Sequence, residues 1–198
     1  MSRLNQLKTK LKQGQVYRRE DLANWSKSVD RHLGELLQEG ILQKLSQGLY
    51  YFPKQSAIGK TPPDDKTLVQ SFLKDHRFLL TSPNAYNSLG VGTSQLYNVR
   101  VVYNHKRHGE FTLGKRVFNF RIKPYFPAKL TPEFLLVDLI NNLETLAEDK
   151  DEVLKKVALK VSEMNKKKLE FAIMEYGHAK TKKIFQPILQ KLTVAYGS

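Results

Sequence analysis

Residues 25–52 read WSKSVDRHLGELLQEGILQKLSQGLYYF, and the fold turns on how they are parsed. Ser26 is a hydroxyl suited to capping a helix N-terminus. Beyond it, Val29, Leu33, Leu36 and Leu37 recur at helical spacing and form one apolar stripe. Gly40 supplies the left-handed position that ends such a helix. Ile41 to Lys44 and Leu49 to Phe52 then read as two short strands around a Ser46-Gln47-Gly48 turn. A helix, a glycine stop and a hairpin form the second half of a winged helix-turn-helix. The face opposite the stripe begins with Lys27, Ser28, Arg31 and His32, at the end that a recognition helix inserts into the major groove.

The flanks complete the motif. Leu4, Leu7 and Leu11 predict a first helix over 3–12, ended by Gly14. Gln15 to Tyr17 is short enough for an edge strand against the wing. Glu20 and Asp21 suit the positive end of a second helix running to Trp25, with Leu22, Ala23 and Trp25 as core. A winged helix-turn-helix is therefore expected over 1–53. Residues 54–65, KQSAIGKTPPDD, hold a Gly, two Pro and no apolar period, and read as a linker. Over 66–198 an α+β domain is expected. Helices are predicted from Asp65 to Lys74 and from Pro83 to Leu89. Strands are predicted at Phe78–Leu80, Val99–Tyr103, Phe111–Leu113 and Arg116–Ile122, giving a small antiparallel sheet. Thr131-Pro132-Glu133 is a helix start. A tail of helices follows near 151–164, 166–176 and 180–194.

Charge and composition narrow the function. The 198 residues carry a formal net charge of +14. The excess is +6 over residues 1–60 and +7 over 61–130, but only +1 over 131–198. A positive field of this size draws polyanions, of which nucleic acid is the usual one; plain solubility is the bland alternative. With no cysteine, disulfide scaffolds, thiolate zinc sites and cysteine nucleophiles are excluded. The N-terminal residues MSRLNQLKTKLK have no apolar core of a signal peptide, and no run approaches the roughly 20 apolar residues of a membrane span. A cytoplasmic protein without membrane contact is expected.

Within the winged helix, Lys27, Ser28, Arg31 and His32 are the candidate base and phosphate contacts. Arg18 and Arg19 precede the second helix and are candidates for backbone contacts that position it. Lys44, Ser46 and Gln47 would bring the wing to an adjacent groove. A second basic group, His105, Lys106, Arg107 and His108 with Lys115 and Arg116, is open to three readings: a further DNA contact, a docking site for an acidic protein, or a solvated hairpin tip. Its two histidines lack a nearby carboxylate or thiolate, so no metal is expected. Leu89-Gly-Val-Gly-Thr93 lacks the Gly-Lys-Ser/Thr ending of a P-loop and reads as turns. Scattered carboxylates and the absence of a nucleophile elbow argue against an enzyme, and no cofactor is expected.

Two segments carry a family resemblance. YRREDLANWSKSVDRHLGELLQEGIL and GLYYFPK resemble the N-terminal winged helix of AbiEi-type antitoxins, the transcriptional regulators of phage-defence toxin–antitoxin operons. LLTSPNAYNSLG, VRVVYNHKRHGEFTLGKRVFNFRIK and LTPEFLLVDLINN are similar in outline to the second domain of that family. The resemblance implies a winged helix that binds an inverted repeat in its own promoter and represses it. It also implies a C-terminal domain that antagonises a nucleotidyltransferase-like toxin encoded nearby. The oligomeric state expected is a monomer or weak dimer. The alternatives are a stand-alone regulator whose second domain senses a ligand or dimerises, and a nuclease anchored by a winged helix.

Overall fold

A computed structural model describes residues 2–196; Met1 and the last two residues of the expected 66–198 domain lie outside the described residues. The chain forms two compact units. One comprises residues 1–78 with 109–118, the other 79–108 with 119–198.

The first unit opens with α1 (Arg3–Lys10), capped by the Ser2 hydroxyl, which accepts from Asn5 N at 3.2 Å. The helix stops before Gly14, because Leu11 is already extended. Strand β1 (Val16–Arg18) follows, then α2 (Arg19–Ala23), in whose first turn the Asp21 carboxylate accepts from Arg18 N. Helix α3 (Val29–Gln38) turns Val29, Leu33 and Leu36 inward, as its stripe predicts, and Gly40 adopts φ +70°. Strands β2 (Gln43–Ser46) and β3 (Leu49–Tyr51) form the wing, and the sheet order is β1-β3-β2. Val16 pairs with Tyr51 and Arg18 with Leu49, so β1 is the expected edge strand. The β2 strand starts two residues later than predicted, because Leu42 goes into the core and not into the sheet. That core joins Leu7, Leu22, Leu33, Leu36, Leu42 and Tyr50. Trp25, predicted to join it, is instead 40% exposed.

Residues 54–65 are not an irregular linker. Strands β4 (Lys54–Ser56) and β5 (Gly59–Thr61) pair antiparallel as a hairpin. Asp64 then caps α4 (Asp65–Leu73) by accepting from Thr67 N at 2.9 Å. Helix α4 belongs to the first unit, and so do residues 109–118: Phe111 packs on Phe72 with ring centroids 5.1 Å apart.

The larger sheet has the order β6-β7-β9-β8, built from β6 (Phe78–Thr81), β7 (Arg100–Asn104), β8 (Gly109–Leu113) and β9 (Arg116–Ile122). Ser82-Pro83 opens a helical segment as predicted, but Pro83–Leu89 is a 3-10 helix. In the second unit α5 (Pro132–Asn142) is buried on every side from Phe134 to Ile140, so it is the centre and not the surface of that unit. Around it pack α6 (Lys150–Glu163), α7 (Lys166–Tyr176) and α8 (Ala179–Tyr196), through Val157, Leu169 and Phe185 among others.

One polar group lies inside this apolar centre. Asp138 on α5 is fully buried, a placement that requires hydrogen bonds to its carboxylate. Tyr86 OH donates to Oδ2 at 2.7 Å and Tyr103 OH to Oδ1 at 2.8 Å, while Lys123 Nζ lies 3.4 Å from Oδ1 and 4.1 Å from the Tyr103 ring centroid. Burial, and then the Asp138 charge, push both tyrosine hydroxyls well above their ordinary value near 10. In the unfolded chain these hydroxyls ionise near pH 10, while in the fold they stay protonated. The folded state then holds more protons, and stability falls as pH rises above 10.

Two outcomes are expected in urea unfolding followed by circular dichroism. Asp138→Ala should cost about 3 kcal/mol, because it strands Lys123 and two buried hydroxyls. Tyr103→Phe should cost about 1 kcal/mol and should flatten the loss of stability seen above pH 10.

Candidate nucleic-acid interface

The turn into α3 is built differently from its prediction. Ser26 is not the cap residue; Ser28 is, and its side chain makes no capping bond. The Ser26 hydroxyl is buried, bonds His32 Nδ1 at 2.7 Å and accepts from Ser28 N at 3.2 Å. It organises the turn from within. His32 is accordingly 2% exposed. Predicted as a reading residue, it belongs to the core, because one helical turn past Ser28 points its ring back at the turn and not at solvent.

The remaining residues of the front of α3 are outward. Lys27 is exposed and carries no ion pair among the described residues. Arg31 is exposed, with Nε 3.5 Å from Glu35 one turn along and Nη2 3.4 Å from His32 Nε2. Such a loose exposed pair contributes little and leaves the guanidinium free to swing. Arg19 is held more firmly, by a two-point contact to Asp30 with Nε–Oδ1 2.7 Å and Nη2–Oδ2 2.5 Å. The contact raises the Arg19 pKa and holds the Asp30 carboxyl below its usual range.

Arg18, predicted as a backbone contact, faces inward. Its Nη1 donates to the carbonyls of Ser71 and Phe72, at 2.9 and 3.0 Å, in the last turn of α4. Exposed carbonyls at a helix C-terminus attract a guanidinium as a phosphate would. Arg116 has a similar fate, paired with Asp65 and donating to Pro63 O at 2.6 Å.

In the wing, Lys44 and Gln47 are exposed and Ser46 is partly covered. The register shifts between Lys44 and Ser46. A bulged residue leaves its backbone groups unpaired within its own sheet, and here the Leu45 carbonyl accepts from Gly114 N at 2.7 Å. That bond brings the exposed Lys115, in the next position, to the edge of the wing. The other four members of the second basic group, His105 to His108, lie in the second unit. Their loop is shaped by the buried Asn104, whose Oδ1 accepts from Lys106 N and Arg107 N while Nδ2 donates to Arg107 O. His105 stacks on Phe126 at 4.8 Å.

Arg3, Gln6, Lys10 and Trp25 at this face do not stand out as site residues in the sequence. A shallow pocket of about 230 Å³ beside the turn is lined by Arg3, Gln6, Trp25, Ser26 and Lys27. Lys10 lies over the Trp25 ring at 5.7 Å. The lone tryptophan read as core because of its size, and nothing in the spacing of α1 places Arg3 beside it.

Comparison with known proteins fits this architecture. Residues 3–173 match a family of unknown function, DUF6088. The chain belongs to that family. A crystal structure of the RV2827C protein from Mycobacterium tuberculosis shares the fold, with a TM-score of 0.56 and 17% identity over 89% of this chain and 71% of that one. No curated protein matches. The DUF6088 chain is thus a winged helix joined to a sheet and a helical domain. It has no cysteine, no group of three or more metal-ligating side chains among the described residues, and no described helix long and apolar enough to cross a membrane.

Thermal melts followed by Trp25 fluorescence should separate the two kinds of residue. His32→Ala is expected to lower stability by about 2 kcal/mol, from a cavity and an unpaired Ser26 hydroxyl. Lys27→Ala is expected to stay within about 0.5 kcal/mol of the parent.

Proposed function

We propose that the winged helix over 1–53 binds duplex DNA. The observation that carries this reading is the front of α3, where Lys27 and Arg31 are exposed and Ser28 keeps its hydroxyl out of the cap. Arg31 reads a base edge, and Lys27 contacts phosphate. Lys44, Ser46 and Gln47 bring the wing to the flanking backbone, joined by Lys115 and Arg3. Arg19 assists only where a phosphate displaces Asp30. Arg18, His32 and Arg116 hold the fold and read nothing.

The larger role follows from the resemblance to AbiEi-type antitoxins. In this reading the protein acts in the cytoplasm on an inverted repeat in its own promoter. There it represses an operon that also encodes a nucleotidyltransferase-like toxin, and its second domain neutralises that toxin. The helical tail over 131–198 is nearly balanced in charge, which sets it apart from the basic residues ahead of it and supports a role for the tail other than DNA contact. The basic loop His105 to His108 is placed in the second unit and serves flanking DNA or the toxin.

Two measurements test the reading. In fluorescence anisotropy with the promoter repeat, Lys27→Ala should weaken binding to all sequences alike and reduce the salt slope by about 1. Arg31→Ala should cost about tenfold or more in discrimination between the repeat and a base-substituted duplex. Co-expression with the neighbouring reading frame should relieve growth arrest caused by that frame alone. Growth arrest that persists with the full chain present removes the antitoxin role while leaving the DNA-binding role standing.

A further inference from the structure

The second unit carries a groove that its own folding leaves uncovered. It lies between α7 and the 127–133 segment that leads into α5, and encloses about 820 Å³. Leu169, Ala172 and Ile173 turn the buried side of α7 to the core. Phe171 on the other side of α7 lines the groove at 61% exposure, and Leu130 across it is 38% exposed. Exposed apolar side chains gathered in a concavity mark a binding surface more than scattered ones do.

Charge selects the occupant. Lys129, Lys167 and Lys168 line the groove, against one acid, Glu133, and none of the three lysines has an ion pair among the described residues. Helix α7 also begins with three lysines and has no acid in its first turn. That arrangement sets positive charge against the positive end of the helix, at a cost that an anionic partner would offset. A second copy of the chain fits poorly, because a two-fold interface would bring the same lysines together. A phosphate backbone would satisfy the lysines but leave Phe171 and Leu130 unused. A concave floor likewise suits an inserted side chain better than a flat lipid surface.

We propose that this groove binds an acidic amphipathic helix of a partner protein, with an apolar residue seated on Phe171 and Leu130 and carboxylates at Lys167 and Lys168. The inference rests on the reading that the second domain engages a protein, and locates where it does so. Apolar anchors at helical spacing laid in a groove, with charges on the flanks, are a general mode of helix recognition.

The test uses the full chain and a fluorescein-labelled synthetic 16-residue helix carrying leucines at i, i+3, i+4 and i+7 with flanking glutamates. A control peptide has lysine in place of glutamate. The acidic peptide should bind and the basic one should not. K167E/K168E should weaken the acidic peptide at least about tenfold and admit the basic one, since two close charges are reversed. Phe171→Ser should weaken binding to a similar degree. Both variants alter exposed positions, so melting points should match the parent. The proposal is overturned if neither peptide binds the parent, or if both variants bind as it does. It is also overturned if K167E/K168E removes promoter binding without changing peptide binding, which would assign the face to nucleic acid. Conversion of a dimer to a monomer by Phe171→Ser in sedimentation would assign it to a second copy, and loss of anionic-vesicle binding would assign it to lipid. Failure of toxin rescue with peptide binding intact removes the antitoxin reading alone.

Discussion

A buried hydrogen bond of 2.7 Å, between the Ser26 hydroxyl and His32 Nδ1, sets where the outward face of α3 begins. Ser26 lies in the turn and His32 one helical turn along, so the bond fixes the path of the chain between them. It places a polar pair inside an otherwise apolar seam of Val29, Leu33 and Leu36. Because both partners are buried, neither can be lost without leaving an unpaired polar group. With the inner side of the turn occupied, Lys27 and Arg31 are turned outward and exposed. The exposure of the proposed reading residues is therefore a consequence of core packing, not an independent property of the surface.

The same logic extends the first unit beyond a minimal winged helix. Helix α4 is held at both ends by arginines. Arg116 pairs with Asp65 in its first turn, and Arg18 donates to the Ser71 and Phe72 carbonyls in its last. The second contact follows the helix dipole directly, since a cation belongs at the carbonyl end; the first works through the acid that the positive end attracts. A further tie runs from Gly114 to the bulged Leu45 of the wing. The wing is thus secured along β2, an edge strand that would otherwise offer unpaired backbone groups for association.

Much of this was legible in sequence where a period or a turn residue decided it. The stripe of α3, the Gly40 stop, β9 and the Thr131-Pro132 start all followed from local rules that tertiary contacts did not override. The hairpin at 54–61 was not legible, since its two strands are three residues each, exposed throughout but for Thr61, and show no apolar alternation. The site was legible to the same limit. An arginine exposed to solvent and one turned to helix C-terminal carbonyls are the same residue in a sequence, so Arg18 could not be told from Arg31. His32 was misplaced by a different cause. A stripe predicts which side is apolar, but the histidine lies beside that stripe and is drawn in by a partner six residues earlier.

Net charge alone would also misjudge the face. Acids accompany the arginines there: Asp30 holds Arg19 at two points, and Glu35 stands 3.5 Å from Arg31. On the proposed duplex these acids repel phosphate and compete for each guanidinium. The two arginines then differ in what must be broken. Two long contacts, to Glu35 and to His32, give up Arg31 more readily than a two-point contact on Asp30 gives up Arg19. Arg31 is therefore available to a base edge. Arg19 is instead engaged in a two-point contact between the start of α2 and the first turn of α3.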